Sequence, residues 1–371
     1  MRVWLAILAL AALAVPATAT EPLRYQGEQT LWQDTIWDGE VTVDGILTVA
    51  PGVTLEIRPG STVRFTRFDS NGDGIGEHEL FCQGTIRAIG SAERPIRFAS
   101  AEPHPRRGDW GALNMMGAET DNRLEHCIIE HAYRGFHAHF AQGTLRDCLF
   151  RDNQRGAQFQ ESKVLIERCR LLDNGNGLQF RDSQVELVDT LVARNQWGVR
   201  CVYSTLAMRG CLVEENLING VNVRAGTVTI TGNRIIGNRR GLYLQNSQAT
   251  VTGNDLSDNS EHGIFLEDGN GDVHDNRIAG NGRAGVRWVN AAGRLARNAL
   301  VDNGEYALIN DGMQPVDARF NWWGSTAPEA IAAAVRDSFD RRDRRGWGSV
   351  TVDAPLTQPL SWVPPAPPAA P

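Results

Sequence analysis

Residues 144–206 read as three gapless copies of one unit: TLRDCLFRDNQRGAQFQESKV at 144–164, LIERCRLLDNGNGLQFRDSQV at 165–185 and ELVDTLVARNQWGVRCVYSTL at 186–206. Carried outward in both directions, the fifth position of the unit is Cys127, Cys148, Cys169, Thr190, Cys211, Asn233, Asn254, Asn276, Asn298 and Asn321. The tenth is Ala132, Asn153, Asn174, Asn195, Asn216, Asn238, Asn259, Asn281 and Asn303, and a glycine recurs at 135, 156, 177, 198, 220, 241, 263 and 285. Three ladders on one period of 21 to 23 residues define a solenoid before any local propensity is considered.

Each unit is broken by Asn and Gly and holds no helix-length apolar run, so it contains short strands joined by turns. After the glycine come alternating apolar pairs, Ala157 and Phe159, Leu178 and Phe180, Val199 and Cys201, Leu242 and Leu244, Ile264 and Leu266, Val286 and Trp288, which should point inward. A second inward set precedes and follows the Asn or Cys position, as in Val251, Leu256, Val273 and Ile278. Stacked in register at about 4.8 Å per coil, each strand lies beside its copy in the next coil, so every sheet is parallel. The Asn column is expected to tolerate a left-handed corner and to bond amide to amide along the stack, with Gly relieving a second corner.

This Asn-rich pattern resembles the secreted right-handed parallel β-helix repeat family, which includes pectate-lyase-like folds and periplasmic NosD-type proteins. The stretch Gly45–Gly60 is similar to that family's first coils, and Asn321-Trp322-Trp323-Gly324 to its closing motif. The resemblance covers about residues 36–324 and implies an all-β, right-handed parallel β-helix. It says little about activity, because the fold hosts lyases, hydrolases, epimerases and binders alike.

Four segments are expected: a signal peptide over 1–19, the β-helix with an N-terminal cap over 20–324, a C-terminal cap over 325–363 and a Pro/Ala tail over 364–371. Arg2, the apolar run Trp4 to Ala14 and Ala17-Thr18-Ala19 have the three regions of an export signal. The mature chain should therefore be periplasmic or extracellular, with no transmembrane segment. Residues 20–44 are expected to cover the first coil. Thr326-Ala-Pro-Glu329 reads as a capping box opening a helix to Val335, with Ile331 and Val335 over the last coil. A net charge of -7 argues against a nucleic-acid partner, and Lys163, placed in a turn between coils, is the only lysine. Cys127, Cys148 and Cys169 form one column and cannot all pair; buried free thiols, or one strained bridge, are the two readings.

Asp69-Ser-Asn-Gly-Asp-Gly-Ile-Gly-Glu-His-Glu79 presents oxygen donors at Asp69, Asn71 and Asp73, with Glu77 or Glu79 to complete a structural calcium site. The other reading is a solvated turn between two strands. His126, His131, His137 and His139 crowd one coil without an evident third metal ligand converging.

The outward side of the strand after each glycine carries His137 and His139, Gln158 and Gln160, Gln179 and Arg181, Arg200, Arg224, Tyr243 and Gln245, and Glu267. Amides, guanidiniums and aromatics in columns suit sugar hydroxyls or uronate carboxylates, and equally a merely solvated face. Paired acids for hydrolysis are missing from it. Arg200 and Arg224 are the only candidates for lyase-type catalysis. The expectation is an exported, non-catalytic carbohydrate-binding or surface-structural protein. A polysaccharide lyase or epimerase acting on uronic-acid polymers is the first alternative, and a NosD-like periplasmic accessory role, by resemblance, the second.

Overall fold

In the computed structural model, which describes residues 22–118, 122–340 and 346–361, each repeat gives one short strand to each of three parallel sheets. In one coil these are Arg170–Leu172 in sheet A, Asn176–Arg181 in sheet B and Gln184–Val188 in sheet C. Sheet A has 13 strands and sheets B and C have 14 each, all joined in one-coil steps, which makes a right-handed parallel β-helix. Register follows the repeat, so that Gln158 stands beside Gln179 and Gln179 beside Arg200.

The alternating residues fill the interior as expected: Ala157, Phe159, Leu178, Phe180, Val199 and Cys201 are each at most 1% exposed. Burial of each large member contributes about 1.5–3 kcal/mol. All six cysteines are buried and free. Burial pushes the Cys82, Cys201 and Cys211 thiols up to about 12, so they behave as small hydrophobes.

The Asn column does bond along the stack. Asn153 Nδ2 donates to Asn174 Oδ1 (3.1 Å), Asn174 to Asn195 (3.1 Å) and Asn195 to Asn216 (3.0 Å). Each Asn Oδ1 also accepts the backbone N–H of its neighbour. A parallel ladder joins Asn233, Asn254, Asn276, Asn298 and Asn321.

The corners differ from the sequence reading in two ways. The left-handed backbone belongs to the residue before each Asn, namely Asp152 (φ 53°), Asp173 (φ 53°), Arg194 (φ 55°) and Glu215 (φ 54°). That twist turns the following Asn amide inward, where it is buried, while the strained residue faces solvent. The recurrent glycines do not relieve a corner either; they lie inside the sheet B strands and supply space. A Cβ on Gly198 would stand 2.3 Å from the Gly220 carbonyl oxygen and 3.1 Å from the Asn216 amide nitrogen. A third ladder, unread in the sequence, uses Ser162, Ser183 and Ser204, whose Oγ atoms accept backbone N–H groups from the preceding coil (3.0–3.1 Å).

At the N-terminal end, the expected cap is itself a coil: Leu23–Gln26, Gln29–Leu31 and Thr35–Trp37 are the first strands of sheets A, B and C. At the other end the capping box does not form. The helix is Pro328–Ala334 with Ala327 at its N-cap, one residue too late for the Thr326 side chain to serve. Ile331 is nonetheless buried over the last coil, and Val335 leaves the helix to pair with Leu308 in sheet B. Lys163 is not in a turn but opens the sheet C strand Lys163–Glu167. The signal-peptide and tail expectations lie outside the described residues.

Candidate ligand-binding face

The outer side of sheet B gathers the candidate residues because its strands are in register. His137, Gln158, Gln179, Arg200, Asn222, Tyr243, Phe265 and Arg287 form one column. His139, Gln160, Arg181, Val202, Arg224, Gln245 and Glu267 form the next. A further column escaped the sequence reading: Arg134, Arg155, Asn176, Trp197, Asn219, Arg240 and His262, each one residue before a recurrent glycine. These reach their neighbours on the same face. Arg155 Nη1 donates to Gln158 Oε1 (2.8 Å), Asn176 to Gln179 (2.9 Å), and the Arg200 guanidinium lies 4.8 Å from the Trp197 ring centroid. The signal was present, since these positions keep the same period as the glycines.

Charge on this face is uneven. Arg181 pairs with Asp182 (2.9 Å), Arg240 with Glu261 (2.7 Å) and Arg287 with Asp311 (2.9 Å). Among the described residues, Arg134, Arg155, Arg200 and Arg224 have no carboxylate partner. Tyr133 lies between two of them, with the Arg134 and Arg155 guanidiniums 4.7 and 4.9 Å from its ring centroid. Burial, then the neighbouring Arg155, lowers the Arg200 pKa, and the Nε atoms of Arg134 and Arg200 are buried without a hydrogen-bond partner. The net-acidic chain thus holds a strip of uncompensated guanidiniums, which attracts anions.

At the strip's N-terminal edge, Asn114 Nδ2 donates to Glu79 (3.2 Å) and Asn114 Oδ1 lies 2.9 Å from His137 Nδ1. Because the Asn114 amide nitrogen faces Glu79, its oxygen accepts, which assigns the imidazole proton to Nδ1. Burial, then Arg134, pushes His137 down to about 3, so the ring is neutral at pH 7. Burial raises the Glu79 carboxyl. Phe81, Thr48 and Glu79 line a hollow of about 490 Å³ beyond it. At the far end, Tyr243 donates its hydroxyl to Glu267 (2.6 Å).

The calcium candidates separate. Glu79 opens the sheet B strand Glu79–Cys82 and is engaged by Asn114, so it is no part of the 69–77 turn. Asp69 accepts the backbone N–H groups of Gly72 (2.8 Å) and Gly74 (3.0 Å), and Asp73 that of Ile75 (2.8 Å). Asn71 Oδ1 accepts from Asp73 N (2.9 Å), while Glu77 is taken by Ser70 (2.6 Å) and Arg67 lies 3.3 Å from Asp69. A calcium ion here would share these oxygens with the bonds the turn already makes and would compete with the Arg67 guanidinium at Asp69. The turn instead docks on the following loop, Gly76 N donating to Gly108 O (2.6 Å), and Arg107 of that loop reaches the Asp173 carbonyl (2.6 Å). Together these loops rise beside the strip at the sheet A–B corner.

The histidines do not converge on a metal. His137 is engaged by Asn114 and His139 by Glu161 (3.2 Å), with their ring centroids 6.5 Å apart. No cluster of three or more His, Cys, Asp or Glu suited to a metal occurs among the described residues. His262 opens the sheet B strand His262–Glu267.

Comparison with known proteins places this geometry among β-helices. Residues 184–332 match the family model described as periplasmic copper-binding protein (NosD), and residues 114–228 match the right handed beta helix region. No curated protein sequence matches the chain. Among solved structures, a point mutant of the periplasmic alginate epimerase AlgG superposes with a TM-score of 0.55 at 15% identity, covering 85% of this chain and 76% of that one. The A-module of a mannuronan C-5 epimerase from Azotobacter vinelandii gives 0.39 at 12% identity, with 90% and 91% covered. A pectate lyase gives 0.33 at 14% identity, with 83% and 70% covered. The first likeness supports the fold, and at these identities none carries an activity across. No helix of the described residues is long and apolar enough to cross a membrane.

Proposed function

We propose that this is an exported β-helix protein that binds an acidic polysaccharide, of the uronate class, along the outer face of sheet B without turning it over. The observation that carries the reading is the strip of guanidiniums lacking carboxylate partners, Arg134, Arg155, Arg200 and Arg224, set among amides and the rings of Tyr133 and Trp197. Charge-assisted bonds to a carboxylate contribute about 1.5–3 kcal/mol each. The unpaired guanidiniums occupy four of five consecutive coils at a rise of about 4.8 Å per coil, so one extended acidic chain can reach more than one of them. Export is supported by the signal-like N-terminal segment and by the periplasmic location named for the matched family and for the alginate epimerase.

The test is titration calorimetry with hexamannuronate and a neutral hexasaccharide. Binding of the uronate should weaken with salt and fall at least about tenfold in the Arg155→Ala/Arg200→Ala double variant. Equal affinity for neutral and acidic sugars on this face sinks the reading.

A second reading, turnover of the same polymer by elimination or epimerisation at C5, is favoured by Glu79–Asn114–His137 beside Arg134. His137 on its own is pushed down to about 3 and is a weak base, so this reading requires a bound uronate carboxylate to raise its basicity before the ring takes the C5 proton, with a guanidinium holding that carboxylate. Arg200 and Arg224 suit the second task only, because a guanidinium keeps its own proton. New ultraviolet absorbance from unsaturated uronate, or exchange of the C5 hydrogen, abolished by His137→Gln, would favour it over simple binding. For the copper named in the matched family's description, no cluster of three or more His, Cys, Asp or Glu suited to a metal occurs among the described residues.

A further inference from the structure

Two exposed aromatic rings stand at the corner between sheets B and C: Phe140, 60% exposed, and Tyr203, 52% exposed. Both occupy left-handed backbone, with φ of 52° and 50°. Bulky residues are disfavoured there and Asn or Asp is preferred. The same corner in other coils carries Glu161, Asp182, Ala225, Asn246, Asp268 and Asn290, none of them aromatic. The fold has no need of a ring at either place, and each is displayed to solvent rather than packed into the core. Phe140 stacks on His139 (4.3 Å), and Tyr203 lies under Arg181 (5.9 Å). Three coils separate them, roughly 14 Å along the stack.

Beside this corner, where Glu161 and Asp182 stand between the two rings, the surface sinks into a hollow of about 410 Å³ on sheet C, lined by Gln142, Thr144, Lys163, Gln184, Glu186 and Thr205, the last of these lying two residues on from Tyr203. At Gln142, Lys163 and Gln184 it merges with a second hollow of about 560 Å³ that reaches Phe140. Lys163 has no carboxylate partner among the described residues, whereas the nearby Glu161 is held by His139 and Asp182 by Arg181. That leaves one ammonium and the Glu186 carboxylate facing a hollow otherwise made of amides, hydroxyls and the apolar Val164, Leu165, Val185 and Ala207. In this first hollow the two charges offset each other, and the amides and hydroxyls offer both donors and acceptors.

We infer that this hollow is a second carbohydrate site, distinct from sheet B, which takes a neutral oligosaccharide of about three sugar units laid between Phe140 and Tyr203. The apolar sugar faces stack on the two rings, and the hydroxyls bond to Gln142, Lys163, Gln184 and Thr205. Different sheets and opposite charge preference make this independent of how the guanidinium strip is read.

Because Lys163 is the only lysine, its acylation is a clean reporter of occupancy. Peptide mass spectrometry after treatment with an amine-reactive ester separates it from the terminal amine. Cellohexaose, mannohexaose and chitohexaose are the probes, and at least one should slow Lys163 acylation at saturation by about tenfold. The Phe140→Asn/Tyr203→Asn variant, whose residues suit the left-handed backbone and so keep the fold, should lose that protection. Its affinity for hexamannuronate should stay within about twofold, because the rings lie against His139 and Arg181 rather than the four unpaired guanidiniums, and the Tyr203 N–H that donates to Arg224 O is kept by Asn. No protection by any of the three sugars, or undiminished protection in the variant, overturns the inference.

Discussion

Replacing Asn195 with Ala removes the centre of the inner amide ladder. Asn195 is 1% exposed, accepts from Asn174 N (2.9 Å) and Asn174 Nδ2 (3.1 Å), and donates to Leu171 O (2.9 Å), Ala193 O (3.1 Å) and Asn216 Oδ1 (3.0 Å). Truncation orphans the Asn174 backbone N–H, since that donor's ladder bond runs to Asn195 alone. An unmade buried amide bond costs about 1–3 kcal/mol, and two carbonyls and one side-chain oxygen each lose a donor as well. With the small cavity included, the loss should be about 3–5 kcal/mol. In a chain of this size that corresponds to a melting point lower by roughly 4–7 °C. Equilibrium urea unfolding, followed by far-ultraviolet circular dichroism and tryptophan fluorescence, measures it. The exposed neighbour Gln196→Ala is the control and should change stability by less than about 0.5 kcal/mol. If the two variants unfold at the same urea concentration, the ladder is not what holds adjacent coils in register.

Gly198→Ala places a methyl 2.3 Å from the Gly220 oxygen and should cost about 3 kcal/mol; a melting point unchanged from wild type contradicts the close approach. His137 is neutral in the folded chain and pushed down to about 3, whereas unfolded it takes a proton near pH 6.5, so stability should fall as pH drops from about 6.5 towards 4. Glu79, whose carboxyl is raised, opposes this by binding its proton earlier when folded; Asn114, Arg134, His139 and Arg155 are the other groups facing the ring. A His137→Gln chain should lose less stability over that window, and an identical pH slope for both chains in urea titrations rules the assignment out. For the 69–77 turn, saturating calcium should move the melting point by under about 1 °C, because the ion has to compete with the Arg67 guanidinium and share the oxygens that Asp69 and Asp73 already commit to backbone N–H groups; a rise of several degrees shows that the turn holds the ion.

The sequence made the stack legible because strand alternation and the coil period are independent signals that agree. Phe159, Phe180 and Cys201 could be placed inside from their spacing alone. The corners were misread because Asn is a good left-handed residue in an isolated turn, whereas in a stack its amide is worth more pointing inward, and Asp152 or Arg194 takes the strained angle outside. Ser162, Ser183 and Ser204 went unread because Ala141 and Gly226 interrupt their column at both ends. On sheet B the polar columns were visible from the period. The grouping of Glu79 and Asn114 with His137 was not, for the coils that bring them together carry the insertions around residues 66–78 and 101–109. Contacts spanning 35 and 23 residues across a broken repeat leave no fixed spacing to read. The calcium pattern shows the converse: a familiar spacing of oxygens is also what a self-bonded turn needs.

The most direct test of the central claim is a crystal structure of the chain with hexamannuronate. The account expects the sugar to lie along the outer face of sheet B, its carboxylates against the guanidiniums of Arg155 and Arg200. A saccharide bound on another face, or none where calorimetry reports saturation, contradicts it.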